Sequence, residues 1–367
     1  MNDLRNISVV LPSLDPDDKL ITVIDGLLEA GFCDIILIND GSKTENLHYF
    51  HTAAAHPEVT LLHHEVNRGK GAALKTAFQW FLENRPGFDG VVTVDGDNQH
   101  HPDDTTACSL KMQQTGKVVL GCRDFSLPHV PPRSRMGNRI TCGVFKLMVG
   151  MTISDTQTGL RAIPTEAVKA FLQVKGDRFE YETNMLLAMK EQSIEFEEVK
   201  IRTVYIEENK SSHFRAVQDS WRIYKLILAH FFRYTLSSLA SALVDEGLFT
   251  LLSFLLRNHV AGLLLTAIPT VTARIVSSLL NFFLNKKVVF RSNISTGKAM
   301  LRYYLLAIPQ LIAQLALTHG VFLLFSISTH QTVLRAVIYA IVMIFLYFAS
   351  FVIQQRWVFA ASKKESK

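Results

Sequence analysis

The chain has 367 residues with a formal net charge of +5, a length that allows two domains. The modest charge, with its bases clustered near apolar segments, argues against nucleic acid as a partner and favours lipid headgroups or phosphates. The mean hydropathy of +0.18 averages two unlike halves. Residues up to about Ser212 mix charged and apolar types, whereas Asp245 and Glu246 are the only acidic residues between Arg233 and Lys364.

Short apolar runs alternate with helical patterns in the first half of the chain. The runs 7–11, 35–38, 91–94 and 118–120 each end at proline, glycine or polar residues, and helical patterns such as 71–84 lie between them. This alternation predicts an α/β domain with a mostly parallel sheet. In such sheets ligands bind beyond the carboxyl ends of the strands.

The beginning of the chain does not have the pattern of a signal peptide. Residues 1–12 carry Asp3 and Arg5 and contain an apolar run of only five residues, which is too short for the apolar region of such a peptide. We therefore expect the α/β half to stay in the cytoplasm.

An acidic run, Asp95-Gly-Asp-Asn-Gln99, follows the third apolar run. The side chains of Asp95, Asp97 and Gln99 are spaced by two and supply the hard oxygen ligands that suit Mg²⁺ or Mn²⁺. A divalent ion here would in turn bind a diphosphate. A solvated acidic turn is the alternative interpretation, but the position at a strand end favours a metal site.

Two further polar segments follow apolar runs or begin a helix. Asp40, in Asn39-Asp-Gly-Ser42, could accept a hydrogen bond from a nucleotide base or ribose, although a plain β-turn has the same sequence. Lys70, in Asn67-Arg-Gly-Lys-Gly71, and the free N–H groups of the following helix could attract phosphate. A glycine-rich helix start is a serious rival for this second segment.

Several arginines lie in polar stretches of the first half. Arginine binds phosphate through two parallel hydrogen bonds, which makes these residues candidates for contacts with donor or acceptor phosphates. They are Arg123, Arg133, Arg135 and Arg161.

The second half predicts an interfacial helix followed by four membrane-spanning helices. In 216–232, aromatic and apolar residues recur at helical spacing with bases between them, which favours a helix at the membrane surface over an ordinary core helix. Four apolar stretches of about 20 residues or more follow. They are residues 234–256, 260–284, 303–327 and 333–355.

An internal repeat supports the four spans. A shift of 69 residues places Asn281-Phe-Phe-Leu-Asn-Lys-Lys-Val-Val-Phe290 on Ser350-Phe-Val-Ile-Gln-Gln-Arg-Trp-Val-Phe359, so each repeat is a helical hairpin. The basic loops and tail then place both termini in the cytoplasm. Asp245 and Glu246 lie midway along the first span, where charge is costly, and Arg274 lies at matching depth on the second. We predict that Arg274 pairs with one of these carboxylates.

Together the polar segments resemble family 2 glycosyltransferases of the dolichyl-phosphate mannose synthase type, over about residues 5–225. The segments that carry the resemblance are Pro12-Ser-Leu-Asp15, Asn39-Asp-Gly-Ser42, Asp95 to His100, Gly121-Cys-Arg123, Asp155-Thr-Gln-Thr-Gly-Leu-Arg161, Phe179-Glu-Tyr-Glu182 and Ser212-His-Phe-Arg215. Asn39 and Gly96 depart from the family pattern, which has Asp and Ala there.

The resemblance implies a GT-A-like fold and inverting transfer from a nucleotide sugar. It implies catalytic roles for Asp97 and Arg123, and a metal held by Asp95, Asp97 and Gln99. The implied donor-binding residues are Pro12, Asp15, Asp40, Lys70 and Asp95. The implied acceptor-phosphate residues are Arg133, Arg161, Ser212 and Arg215.

The membrane half resembles GtrA-like proteins, which are associated with polyprenyl-linked sugars. The predicted organisation is thus a catalytic domain at 1–215, an interfacial helix at 216–232 and a transmembrane domain at 233–360. We expect transfer of one hexose, from a UDP-glucose or GDP-mannose class donor, to a polyprenyl phosphate at the cytoplasmic face of the cell membrane. The sequence is also compatible with assembly into a homo-oligomer.

Two alternatives to this function remain. One is a processive or protein-directed glycosyltransferase, whose additional acceptor-channel motifs are not found in the sequence. The other is a transporter of lipid-linked sugars with an accessory or degenerate transferase domain, against which the intact Asp95, Asp97 and Gln99 argue.

Overall fold

The computed structural model describes residues 3–128, 130–204, 216–260, 263–292, 294–327 and 331–360. The chain forms two compact units, Met1–Leu226 and Ile227–Lys367. The division falls inside the segment 216–232, which was predicted to be an interfacial helix between the two domains.

The first unit is built on a seven-stranded mixed sheet with the strand order β3-β2-β1-β4-β6-β5-β7. Strand β6 pairs antiparallel with β4 and β5, and the other neighbouring strands pair parallel. The strands are β1 (Ile7–Ser13), β2 (Ile35–Asp40), β3 (Val59–His64), β4 (Gly90–Thr93), β5 (Val118–Arg123), β6 (Arg161–Pro164) and β7 (Phe196–Ile201).

In the described part of this unit, seven α-helices lie between consecutive strands along the chain. The mostly parallel sheet with crossover helices confirms the predicted α/β class. The helices are α1 (Lys19–Glu29), α2 (Leu47–Ala53), α3 (Lys70–Asn84), α4 (Pro102–Thr115), α5 (Pro132–Met148), α6 (Thr165–Leu172) and α7 (Glu180–Glu191).

The apolar runs form strands because both faces of the central sheet are covered. Every residue of β2 is buried, including Asn39 and Asp40 at its carboxyl end. Such continuous apolar runs are typical of parallel strands that have helices on both sides. On α3, Leu74, Phe78 and Phe81 recur at helical spacing and are buried, which seats this helix and its N-terminal Lys70 beside the sheet.

Four helices of the second unit are long and apolar enough to cross a membrane: Phe231–Leu256, Leu263–Val289, Thr296–Leu324 and Val333–Val358. The four predicted spans are therefore confirmed. As elements they are α8 (Ala216–Leu256), α9 (Leu263–Leu284), α10 (Thr296–Leu324) and α11 (Thr332–Ile353).

One helix covers both the segment predicted to be interfacial and the first span. Helix α8 runs from Ala216 to Leu256 without interruption, over 41 residues. No proline or glycine lies near residues 232 and 233 to end the helix there, so the hydrogen-bonded backbone continues through the predicted boundary.

The 69-residue repeat is visible in the hydrogen bonds between the two hairpins. The tyrosine that begins each repeat, Tyr234 or Tyr303, bonds to the second helix of the other repeat. Tyr234 bonds to Ser350, with 3.4 Å between the hydroxyl oxygens, and Tyr303 donates to Asn281 Oδ1 at 3.0 Å. Residues 281 and 350 are equivalent in the repeat, so each hairpin makes the same kind of contact with the other. The two hairpins are therefore related by an approximate twofold axis.

Two buried amides lie where the hairpins meet. Asn285 is fully buried and Gln354 is 5% exposed, and they occupy equivalent positions in the repeat. The amide nitrogen of Asn285 donates to Gln354 Oε1 at 3.0 Å. Each begins a π-helical turn, 285–289 or 354–358. Since lipid offers no hydrogen bonds, this mutual pairing lets both amides be buried.

The predicted intramembrane ion pair is confirmed, with Asp245 as the partner. Arg274 Nη2 lies 3.1 Å from Asp245 Oδ2. The hydroxyl of Ser277, one turn beyond Arg274, donates to Asp245 Oδ1 at 2.8 Å. The carboxylate thus has a charged and a polar partner from α9, which offsets part of the cost of placing it in a spanning helix.

Candidate active site

A cavity of about 350 Å³ opens at the carboxyl ends of β1, β2 and β4, beside the N-terminus of α3. This is where a parallel sheet places ligands. The structure brings together all five predicted donor-binding residues and one predicted catalytic residue at this cavity. They are Pro12, Asp15, Asp40, Lys70, Asp95 and Asp97.

Lys70 lies between two carboxylates. Its ammonium group is 2.7 Å from Asp95 Oδ1 and 3.0 Å from Glu182 Oε1. Burial by itself would lower the pKa of Lys70, but the charges of Asp95 and Glu182 outweigh burial and raise it. Lys70 therefore stays positively charged and joins the loop after β4 to α7.

Asp95 and Asp97 are a pair of carboxyl groups with opposite pKa shifts. Burial would raise the pKa of Asp95, but Lys70, and then His100, lower it to about 2. Burial, and then the negative charge of Asp95, raises the pKa of Asp97 to about 6. Environments that separate two carboxyl pKa values in this way are typical of functional sites.

This pair fits the predicted divalent ion. Mg²⁺ and Mn²⁺ take hard oxygen ligands, and Mg²⁺ is often held by one or two carboxylates together with substrate phosphates. Asp95 and Asp97 supply the two carboxylates in one cavity, and the charge of Asp95 disfavours a second negative charge on Asp97. A bound cation would relieve that repulsion. Among the described residues there is no cluster of three or more His, Cys, Asp or Glu side chains suited to a metal.

Asp40 supports the loop before α3 as well as lining the cavity. Its Oδ1 pairs with His64 Nδ1 at 2.7 Å and accepts from the main-chain N–H of Arg68 at 2.9 Å, and its Oδ2 accepts from the N–H of Gly69 at 2.8 Å. These contacts hold the chain that leads to Lys70. A contact between Asp40 and a base or ribose stays a prediction.

Asp15 ties the loop after β1 to the loop after β2. Its main-chain N–H donates to Ser42 Oγ at 2.8 Å, and its carboxylate accepts from the N–H of Lys43 at 2.8 Å. Asn39, which departs from the family pattern, is 1% exposed. Its side chain bonds to the N–H of Ser42 and to His63, so it shapes the turn beneath the cavity.

The glycines before and inside α3 are explained by close packing. A Cβ atom on Gly69 would lie 2.4 Å from the carbonyl oxygen of Asp177, and one on Gly71 would lie 2.5 Å from Cβ of Tyr181. The N–H of Ala72 already donates to the Asp177 carbonyl at 2.9 Å. The glycine-rich helix start, the rival interpretation, therefore accounts for these residues, and the α3 amides are not all directed at a ligand.

Among the described residues, the cavity lining does not include Arg123, which was predicted to be catalytic, or Gln99, which was predicted to bind the metal. Arg123, at the end of β5, holds Asp155 with two hydrogen bonds of 2.7 and 3.1 Å. Its charge reaches Asp95, whose pKa it helps to lower after Lys70 and His100. Gln99 contributes its main-chain N–H to Asp97 Oδ1 at 3.2 Å. Direct roles for Arg123 and Gln99 stay predictions.

The predicted acceptor residues are dispersed. Arg133 is exposed in the first turn of α5. Arg161 is only 2% exposed, because it lies on a central strand and donates to the carbonyl oxygens of Thr158 and Glu182. That burial places it under the site rather than on a surface that a lipid phosphate reaches. Ser212 and Arg215 lie outside the described residues.

Another arginine considered as a phosphate ligand is held by the protein itself. Arg135 donates to the carbonyl oxygens of Phe125 at 3.0 Å and Leu127 at 2.9 Å. The guanidinium therefore orders the loop between β5 and α5, a structural function that the polar surroundings in the sequence did not indicate.

Sequence reasoning assigned no role to two residues that shape the acidic pair. Glu182 is the second carboxylate on Lys70, and the motif Phe179-Glu-Tyr-Glu182 was the signal that could have indicated it. Gly159 packs against Asp95 so closely that a Cβ atom there would lie 2.3 Å from Asp95 Oδ2. The local sequence gives no hint of that contact, which joins segments 64 residues apart.

Comparisons with known proteins agree with this geometry. Residues 8–171 match the family described as Glycosyl transferase family 2, and residues 233–359 match the GtrA/DPMS transmembrane domain. The chain therefore consists of a family 2 glycosyltransferase domain followed by a GtrA/DPMS transmembrane domain, which confirms the resemblance found in the motifs.

Similar proteins include two named transferases. A UDP-N-acetylglucosamine–dolichyl-phosphate N-acetylglucosaminyltransferase of Methanococcus voltae is 26% identical over 55% of this chain and 86% of its own length. An undecaprenyl-phosphate mannosyltransferase of Micrococcus luteus is 25% identical over 45% of this chain and 68% of its own length. A solved structure of glucosyl-3-phosphoglycerate synthase from Mycobacterium tuberculosis, with Mn²⁺, UDP and glucosyl-3-phosphoglycerate, is similar at 16% identity and a TM-score of 0.46, over 61% of this chain and 78% of that one.

Replacing Gly159 by alanine should displace the Asp95 carboxylate, because the added methyl group would occupy its position. A displacement of about 1 Å at a reacting centre costs up to about a hundredfold in rate, so we expect a loss of tenfold or more in sugar transfer. Gly137→Ala is the matched control, since a Cβ atom at Gly137 has no neighbour within 4 Å. Equal activity of the two variants in a kinetic assay would contradict this role of Gly159.

The raised pKa of Asp97 predicts pH-dependent metal binding. The carboxyl group has a pKa of about 6 without metal and must lose its proton to coordinate a cation. Mn²⁺ affinity in the presence of UDP, measured by calorimetry, should be constant above pH 7 and about tenfold weaker at pH 5. Asp95, with a pKa of about 2, stays ionised throughout. Unchanged affinity at pH 5 would refute the assignment of Asp97 as a ligand.

Proposed function

We propose that the protein transfers a single hexose from a nucleotide sugar to a polyprenyl phosphate. The observation that carries this proposal is the Asp95–Asp97 pair, whose two carboxyl groups have opposite pKa shifts. The pair lies in a cavity at the strand ends. The same chain also has four helices that are long and apolar enough to cross a membrane. The relatives named for transfer to dolichyl and undecaprenyl phosphate support this acceptor class.

The donor would lie in the 350 Å³ cavity. Asp95 and Asp97 would hold Mg²⁺ or Mn²⁺, with Gln99 in support, and the cation would stabilise the charge of the departing nucleoside diphosphate. Lys70 stays charged beside Asp95 and would attract the same phosphates. Pro12, near the end of β1, and Asp15, in the loop that follows, line the same cavity.

An acceptor phosphate needs little help to react, because its oxygen is already ionised at neutral pH. That oxygen would attack the anomeric carbon opposite the nucleoside diphosphate. The new bond forms as the bond between this carbon and the donor phosphate oxygen breaks, which inverts the configuration. Asp97 would hold the cation, and that cation together with Arg123 would position and neutralise the leaving group, so that neither residue would have to remove a proton.

The acceptor phosphate would be held by basic residues on the surface. The exposure of Arg133 supports this role for it, and Arg215 and Ser212 are proposed from the motif that contains them. Arg161, which is buried, would act through the packing of β6 and α7. The basic loops of the spanning region favour a catalytic domain at the cytoplasmic face of the cell membrane. The homo-oligomer stays a prediction.

Replacing Asp97 by alanine should abolish sugar transfer, because the remaining groups cannot neutralise the leaving diphosphate. We expect a loss on the order of a hundredfold to a thousandfold, and EDTA should reproduce it with the unmodified protein. The assay measures lipid-linked product from a panel of radiolabelled nucleotide sugars, with the full chain in membranes. Asp25→Ala, on the exposed face of α1, is the control.

Full activity of the Asp97 variant in metal-free buffer would refute the proposed chemistry. Absence of product from every donor, for the unmodified protein as well, would favour the alternative of a lipid-linked sugar transporter with an accessory transferase domain.

Replacing Arg133 by alanine should weaken the use of the acceptor. A charge-assisted hydrogen bond contributes about 1.5–3 kcal/mol, so the KM for polyprenyl phosphate should rise about tenfold or more while the KM for the donor stays the same. Arg5→Ala is the control, because Arg5 precedes the amino end of β1, whereas the cavity lies at the carboxyl ends of the strands. An unchanged KM for polyprenyl phosphate would exclude Arg133 from the acceptor site.

A further inference from the structure

Strand β3 ends on two neighbouring histidines that no step of the proposed reaction uses. In the ladder between β2 and β3, His63 lies opposite Asn39 and His64 lies opposite Asp40. Successive residues of a strand point to opposite faces of the sheet, so the two pairs lie on opposite faces. His63 bonds to the Asn39 side chain across 3.0 Å, and His64 bonds to the Asp40 carboxylate across 2.7 Å. Of the two strand β2 residues, Asp40 is the one that lines the donor cavity.

His64 is buried between the end of β2 and helix α3. Its side chain is 4% exposed, and that of Asp40 is 5% exposed. Its Nδ1 atom bonds to Asp40, and its Nε2 atom bonds to the hydroxyl of Thr76, on α3, across 2.9 Å. Buried polar groups whose hydrogen bonds are all made hold a single arrangement. The imidazole ring therefore fixes the Asp40 carboxylate relative to α3.

The hydrogen bonds of Asp40 leave one of its acceptor positions unused among the described residues. An ionised carboxylate has about four acceptor positions, two on each oxygen, and cannot donate. Oδ1 is occupied by His64 and by the main-chain N–H of Arg68, whereas Oδ2 accepts from the N–H of Gly69. The remaining position is on Oδ2 of a side chain that lines the cavity. That position suits an N–H or O–H group of a ligand.

The same contacts determine where α3 begins. Arg68 and Gly69, whose N–H groups Asp40 accepts, directly precede Lys70, and the Lys70 ammonium lies 2.7 Å from Asp95. Without the bond from His64, one position of Oδ1 would be buried and unpaired, which is costly. The carboxylate would turn to recover a partner, and the unused position of Oδ2 would turn with it.

We propose that His64 is a positioning residue for nucleotide selection, which holds the Asp40 carboxylate so that Oδ2 accepts a hydrogen bond from a ring N–H of the nucleobase. Uracil and guanine each have a ring N–H beside a carbonyl group, whereas the corresponding nitrogen of cytosine is an acceptor. A site built to bond an N–H group rejects an analogue that lacks it. The inference rests on the proposed function for the presence of a nucleotide, and His64 itself does not touch the ligand.

Two substitutions of His64 separate its two hydrogen bonds. The side-chain nitrogen of asparagine is as many bonds from the backbone as Nδ1 of histidine, and that of glutamine is as many as Nε2. His64→Asn therefore keeps a donor for Asp40, whereas His64→Gln keeps only the partner of Thr76. His51→Gln, at an exposed position of α2, is the matched control. Thr76→Val, which keeps the side-chain shape and removes the hydroxyl bonded to Nε2, serves where His64→Gln does not fold.

The experiment measures the affinity of UDP, GDP and CDP for the full chain in lipid nanodiscs with Mn²⁺, by calorimetry. The unmodified protein should bind UDP or GDP about tenfold or more tightly than CDP. His64→Gln should weaken binding of the preferred nucleotide about tenfold, as expected for a lost hydrogen bond to a charged group, and should reduce the preference over CDP.

The other variants should have smaller effects. His64→Asn should stay within about threefold of the unmodified protein, Thr76→Val should weaken binding about threefold, and His51→Gln should leave it unchanged. In the transfer assay, His64→Gln should raise the KM for the nucleotide sugar and leave the KM for polyprenyl phosphate unchanged.

Equal nucleotide affinities of His64→Asn and His64→Gln would overturn the proposal, as would an unchanged affinity of Thr76→Val. So would a lower unfolding temperature of His64→Gln with an unchanged preference over CDP, because a purely structural pair, or a contact of Asp40 with the ribose, gives that result. Each of these results leaves the proposed transfer intact, since UDP or GDP still binds. Failure of all three nucleotides to bind the unmodified protein would instead refute the proposed function, and this inference with it.

Discussion

The contact between Lys70 and Asp95 is the interaction on which the catalytic site depends. Asp95 stays ionised in a desolvated position because the Lys70 ammonium lies 2.7 Å away. Burial, together with that negative charge, raises the pKa of Asp97, and a bound cation would relieve the repulsion between the two carboxyl groups. Lys70 also contacts Glu182 at 3.0 Å, so one side chain joins the loop after β4, the start of α3 and the first turn of α7.

Close packing of main-chain segments makes this arrangement rigid. Gly69 and Gly71 admit the segment that carries Asp177 and Tyr181, and Gly159 admits the Asp95 carboxylate. In each case a methyl group would clash with a neighbour distant in sequence. The loop of Asp40 and the turn of Asp15 are tied by their own hydrogen bonds. Pre-organised groups of this kind stabilise developing charge without reorganising during the reaction.

In the membrane unit, buried polar groups must find hydrogen-bond partners within the protein, because lipid offers none. The hairpins bond to each other through equivalent positions: Asn285 donates to Gln354, and Tyr234 and Tyr303 each bond to the second helix of the other hairpin. Where the equivalence fails, at Asp245 and Arg274, charge remains in the bundle and a cavity opens beside it.

The α/β sheet and the four spans could be predicted from the sequence because they depend on the local pattern of apolar residues. The acidic pair could be predicted from its position after an apolar run. The intramembrane ion pair could be predicted because its two residues lie at the same depth in neighbouring spans. Strands β3, β6 and β7 were missed, since strand pairing depends on neighbours that are distant in sequence. The burial of Arg161, the second carboxylate on Lys70 and the contact of Gly159 with Asp95 were decided by tertiary structure alone. Each brings together groups far apart in sequence, and local pattern carries no information about such contacts.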